Sequence, residues 1–167
     1  MKGLELAELY YHEFGAPMLK KHFPEQMGRI TVGMVGPGSE CFGFDDAISR
    51  DHDWGPGFCL WLTDNDYLSL GPALQKAYES LPKSFRGYGP RTISPGENNR
   101  TGVCEIAGFY KLYTGLKKIL ESLTEWLTIP EENLALVTNG KIFTDPLGAF
   151  TAWRDKLLGY YPEDVRL

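Results

Sequence analysis

Apolar residues near the start of the chain recur at three- and four-residue steps. Leu6, Leu9, Tyr10, Phe14, Met18 and Leu19 share one side of a helical wheel. That spacing predicts an amphipathic helix from Leu4 to about His22. Pro17 is expected to kink or divide it, because proline lacks an N–H and crowds the preceding turn. Arg29 to Val35 (RITVGMV) is a short β-branched run and reads as a strand. It ends in Gly36-Pro37-Gly38-Ser39, a turn whose glycines expose the backbone. The polar stretch 40–50 follows as a loop or short helix. A second strand is expected over Asp51 to Asp53, resuming at Phe58 to Leu62 after a break at Trp54-Gly55-Pro56-Gly57.

Thr63 with Asp66 at the N3 position marks the start of a helix that runs to about Leu81. Tyr67, Leu70, Leu74, Ala77, Tyr78 and Leu81 form its apolar stripe. Residues 82–101 are rich in Pro, Gly, Asn and Arg without a period, and read as a mobile or substrate-facing loop. GVCEI, Gly102 to Ile106, reads as a third strand, followed by a helix near Gly108 to Thr114 that stops at Gly115. Ser122 and Glu125 make a second capping pair, and Pro130-Glu131-Glu132 opens another helix with acids near its positive end. A short strand at Lys141 to Phe143 after Asn139-Gly140, then a helix from about Pro146 to Tyr160, complete the pattern. Strands interleaved with helices predict an α/β (α+β) fold, a small mixed β-sheet backed by helices.

The length of 167 residues fits one domain with its own core. A net charge of -5 argues against a surface that grips nucleic acid by its phosphates, so no extended nucleic-acid surface is expected. It leaves room for a nucleotide, which a few cations and backbone N–H groups can hold. Cys41, Cys59 and Cys104 are odd in number and widely spaced, which predicts free thiols in a reducing compartment. Glutamates interrupt the N-terminal segment where a signal peptide would be apolar, and no apolar stretch is long enough for a membrane span. The expected location is cytoplasmic, with no membrane partner.

The chemistry centres on Asp51 and Asp53. On a strand, residues two apart project from one face, roughly 6–7 Å apart. Two carboxylates so placed repel each other unless a cation lies between them, and carboxylate, water and phosphate oxygens suit Mg²⁺ or Mn²⁺. His52 would face the other way. A Gly-Ser turn after a strand lets bare N–H groups approach an anion, and the hydroxyl adds a donor. Each motif alone is common. Their order is more informative: strand, Gly38-Ser39, eleven intervening residues, then the acid pair on a second strand.

This arrangement resembles the signature of the DNA polymerase beta-type nucleotidyltransferase superfamily. More narrowly, GSECFGFDDAISRDHDWGPGFCLWL and EWLTIPEENLALVTNGKIFTDPLGAFTAWRDKLLGYYPEDVRL resemble a bacterial domain-of-unknown-function family within it. The resemblance implies a nucleotidyltransferase-like fold that binds a nucleoside triphosphate, ATP foremost, and transfers a nucleoside monophosphate to a small-molecule, protein or RNA acceptor. Gly38 and Ser39 match its phosphate turn, and Asp51 and Asp53 match its metal pair. Glu105 is the candidate for its third carboxylate, binding metal or activating the acceptor hydroxyl; an exposed strand residue is the alternative. Arg50 is a candidate phosphate contact, or a partner of Asp45 or Asp46. Trp54 is placed to stack on a base or shape the acceptor pocket. For Arg86, Arg91 and Arg100 a solvated loop face is expected, and for His12 and His22 the helix surface. Residues 1–167 are expected to be one such domain, and the narrower family continues into a helical segment beyond position 167. The competing class is a non-catalytic module on the same fold that binds nucleotide or a protein partner.

Overall fold

The computed structural model describes residues 1–37, 39–43, 55–91 and 101–161. Gly38, Arg50, Asp51, Asp53, Trp54, Asp45, Asp46 and Arg100 lie outside them, as does the side chain of Ser39.

The N-terminal periodicity forms α1 (Gly3–Tyr10), a π-helical turn (Tyr11–Gly15) and α2 (Ala16–His22). The irregularity precedes Pro17, which sits in the first turn of α2. Proline cannot donate back to the carbonyl one turn earlier, and a widened turn accommodates that loss. A Cβ on Gly15 would stand 2.6 Å from the Phe58 ring, so the bare backbone here lets the helix press on the sheet.

Strand β1 (Thr31–Met34) leads through a bend into the short helix α3 (Ser39–Phe42), and β2 spans Cys59–Leu62. Helix α4 (Asp64–Glu79) starts where expected, with the Thr63 side chain accepting from the Asp66 N–H. Then come β3 (Gly102–Glu105), α5 (Ile106–Thr114), α6 (Leu123–Leu127), α7 (Glu131–Thr138), β4 (Lys141–Thr144) and α8 (Ala149–Gly159). Helix α5 ends on Gly115 in the left-handed conformation (φ 76°), a backbone state that glycine adopts without Cβ strain. Ser122 accepts from Glu125 N–H at 3.2 Å. The Glu125 carboxylate reaches back one residue further than a standard box, to the N–H of Glu121 at 2.8 Å.

Among the described residues the strands form a mixed α/β sheet in the order β3-β2-β1-β4. β1 runs antiparallel to both β2 and β4, whereas β2 and β3 are parallel. Every residue of β1 and β2 is buried, which is why TVGM and CLWL read as continuous apolar runs rather than alternating ones. One face packs Val32, Leu60 and Leu62 against the N-terminal helices and Leu74 of α4. The other packs Cys59 and Trp61 against Tyr110, Leu134, Phe150 and Trp153. Tyr110 and Trp153 stack at 4.6 Å, joining α5 to α8.

The first half of the 82–101 loop belongs to this core. Phe85 and Tyr88 exchange backbone hydrogen bonds, and the buried Phe85 ring packs edge-on to Phe14 and tilted against Tyr10. Tyr10 in turn donates its hydroxyl to the carbonyl of Pro82 at 2.6 Å. This part of the loop is therefore anchored to the core rather than mobile throughout. No helix among the described residues is long and apolar enough to cross a membrane.

Candidate active site

The register places the end of β1 beside the beginning of β2, with Gly33 opposite Cys59. From β1 the chain passes into Gly36-Pro37 and then α3, and this passage is held from three directions. The side chain of Asn139 pairs with the Gly36 backbone as a neighbouring strand would. Gly36 N–H donates to Asn139 Oδ1 at 2.9 Å, and Asn139 Nδ2 donates to Gly36 O at 2.9 Å. Gly140 N–H donates to Cys41 O at 2.9 Å, tying α3 to the same turn. Arg154 of α8 secures the turn by donating to Asn139 O at 2.7 Å. Gly140 is in the left-handed region (φ 67°), and a Cβ there would run into the carbonyl of Met34. Glycine is thus required both by conformation and by the close approach to β1.

The third hold is a buried ion pair that sequence reasoning missed. Glu40, directly after Ser39, is 2% exposed at its side chain and pairs with Arg91, which is 9% exposed. Arg91 uses its other terminal nitrogen, Nη1, to donate to Gly55 O at 2.8 Å. The expected solvated loop face therefore does not apply to Arg91. Arg86 does remain half-exposed, 3.9 Å from Glu13 and over the Phe85 ring. Two charges this deeply buried lose much hydration, and pairing together with further hydrogen bonds offsets the cost.

Glu105 lies elsewhere. Parallel pairing sets Gly102 beside Cys59 and Glu105 beside Leu62, three residues along β3. At about 3.3 Å per residue, that is roughly 10 Å from the sheet end that carries Gly36. Partial burial raises the Glu105 pKa first, and the charge and hydrogen bond of Asp64 raise it further; a Gly108 N–H opposes them. The structure does not bring Glu105 to the Gly36 turn. Among the described residues no group of three or more His, Cys, Asp or Glu side chains is arranged to hold a metal ion.

The cysteines converge from three elements. Cys41 of α3 and Cys59 of β2 are buried, Cys104 of β3 is half-buried, and all three are free thiols. Burial raises the Cys59 pKa, with the other two thiols adding to the shift, and burial lifts Cys104 to about 11. Such thiols are unreactive neutral packing groups at physiological pH. His12 and His22 are exposed on the helices, as expected.

Compared with known proteins, residues 126–167 match a family described as "Domain of unknown function (DUF4037)". The matched segment contains α7, β4 and α8, and so includes Asn139, Gly140 and Arg154, which hold the Gly36 turn. No curated protein and no solved structure matches the chain.

Proposed function

We propose that this chain is a metal-dependent nucleotidyltransferase, moving a nucleoside monophosphate from a nucleoside triphosphate, ATP foremost, to a hydroxyl-bearing acceptor. One observation carries the reading: the antiparallel register of β1 and β2. It brings the strand end from which Gly38-Ser39 departs to the same sheet end at which β2 begins, and Asp51 and Asp53 precede that beginning in sequence. The superfamily resemblance of the Gly-Ser turn and acid pair asks for this arrangement of the two strands.

In this proposal the backbone N–H groups of Gly38-Ser39 and the Ser39 hydroxyl hold the β- and γ-phosphates, as exposed turn amides hold anions. Asp51 and Asp53 would hold Mg²⁺ or Mn²⁺, whose chemistry is to neutralise the triphosphate and favour ionisation of the acceptor. The acceptor oxygen bonds to the α-phosphorus while the bond to the bridging oxygen breaks, and pyrophosphate leaves in line. Arg50 is assigned a phosphate contact. Glu105 is assigned no part in the transfer, given its place beside Leu62 at the far end of β2.

Titration calorimetry of the full chain with ATP tests this, with Mg²⁺ or with chelator. Binding is expected only with metal, and is expected to be lost in Asp51→Ala and Asp53→Ala variants whose melting temperatures are unchanged. Equal, metal-independent binding by wild type and both variants would refute transferase chemistry in favour of a non-catalytic nucleotide-binding module.

A further inference from the structure

We infer that Arg91 is a positioning residue that locks together the two halves of the proposed site; its bearing on nucleotide rests on the reading above. One guanidinium spans two segments distant in sequence. Its Nη2 meets Glu40, the residue after Ser39, and its Nη1 meets the carbonyl of Gly55, two residues after Asp53. A planar fork with two rigidly spaced donors fixes the distance between its acceptors, whereas a lysine ammonium is a single point.

The packing around this contact leaves little freedom. A Cβ on Gly55 would lie 3.2 Å from both Arg91 Cα and Gly89 O, so backbone presses on backbone there. Gly57 is packed by the Tyr78 hydroxyl, 3.1 Å from its would-be Cβ, and touches the Arg91 stem, with Cδ at 3.6 Å. Arg91 therefore meets the segment after the acid pair through main chain, stem and head group. It meets the segment after the Gly-Ser turn through a carboxylate that is nearly inaccessible to solvent. Neither contact is part of the strand ladder, which runs β3-β2-β1-β4. A buried pair joining α3 to the segment before β2 at one sheet end has a geometric consequence: the spacing of Glu40 and Gly55 is set by Arg91.

Amide hydrogen exchange on the full chain, without any nucleotide, separates this inference from the functional reading. In Arg91→Lys, peptides covering 36–43 and 55–58 should both exchange at least tenfold faster than in wild type, while α4 and α8 keep wild-type protection. The double variant Glu40→Met with Arg91→Met removes both members of the pair together, so neither is left buried without the other, and it should loosen the same two peptides. Wild-type protection of either peptide in both variants overturns the lock. In calorimetry with ATP and Mg²⁺, the Arg91→Lys variant should bind at least tenfold more weakly. If wild type binds no triphosphate, the transferase reading fails while the exchange result still decides the lock. If wild type and Arg91→Lys bind alike, the positioning role is overturned.

Discussion

Gly140 and Gly115 share a left-handed backbone, at φ 67° and 76°, yet their surroundings differ. A Cβ on Gly115 would meet nothing within 4 Å. On Gly140 it would collide with the Met34 carbonyl oxygen and stand 2.9 Å from the carbonyl carbon and 3.0 Å from Val35 Cα. Gly115→Ala therefore carries only the left-handed penalty, roughly 1–2 kcal/mol. Gly140→Ala carries that penalty and must also displace the last peptide of β1, a backbone obstacle that cannot rotate away as a side chain would. Forcing extra volume into a packed site costs typically ~1–3 kcal/mol, which brings the total to roughly 2–5 kcal/mol. For a domain whose whole stability is on the order of 5–15 kcal/mol, the variant should be visibly weakened yet foldable. Urea denaturation of the two variants and wild type reads this directly, as midpoint shifts at unchanged slope. The Gly140 variant should fall well below the Gly115 variant. Equal midpoints would mean that β1 yields freely at Met34, and the close approach would then carry no energetic weight.

The Glu105–Asp64 contact predicts a pH effect. Because the folded-state pKa of Glu105 is raised, by partial burial first and then by Asp64, the native state holds this proton more tightly than the unfolded chain. Stability from this site is thus present below the ordinary glutamate pKa and falls as pH rises through the folded-state value. Glu105→Gln should stabilise the protein at pH 7 and make little difference at pH 4, read as midpoints of thermal melts; a variant less stable at pH 7 than at pH 4, relative to wild type, contradicts the placement. The thiols give an independent check on the core. With its pKa near 11, Cys104 is about one part in a thousand thiolate at pH 8, and Cys41 and Cys59 are shielded as well. A chromogenic disulfide reagent should label the native protein over hours and all three cysteines at once in denaturant; two thiols reacting within minutes in the native state would show that the sheet end is open.

What the sequence disclosed follows the range of the interaction concerned. Capping by Thr63 and Ser122, the stop at Gly115 and the short strand after Asn139-Gly140 depend on residues within a few positions, so local chemistry sufficed to find them. The Glu40–Arg91 pair spans 51 positions and is set by how a loop folds over the sheet end. Nothing adjacent to Arg91 distinguishes it from Arg86, yet one is buried and the other half-exposed. Glu105 shows another limit. Its strand was legible, but the end of the sheet it occupies depends on β3 running parallel to β2, which residue pattern does not encode. Phe85 was masked by composition: Pro and Gly around it read as loop, whereas the aromatic itself belonged to the core with Tyr10 and Phe14.

The order of the chain and the order of dependence within the site run in opposite directions. The candidate chemistry is encoded between Gly38 and Asp53, while what fixes the turn before it comes from residues a hundred positions later. Asn139 pairs with Gly36 across 103 positions, and β4 lies directly against β1. Asp145, just after β4, binds the buried Thr31 hydroxyl at 2.7 Å and the Thr151 N–H of α8 at 2.8 Å, so β1, β4 and α8 are pinned at the other end too. The segment that matches the family of unknown function is therefore not a separate attachment to the sheet. It completes the sheet beside β1 and supplies the partner that Gly36 would otherwise lack. Buried backbone groups cost free energy when unpaired, so a turn held this way keeps its shape before any ligand arrives. An anion site made of backbone N–H groups benefits from such fixity, since donors already in place need not be ordered when the phosphate binds.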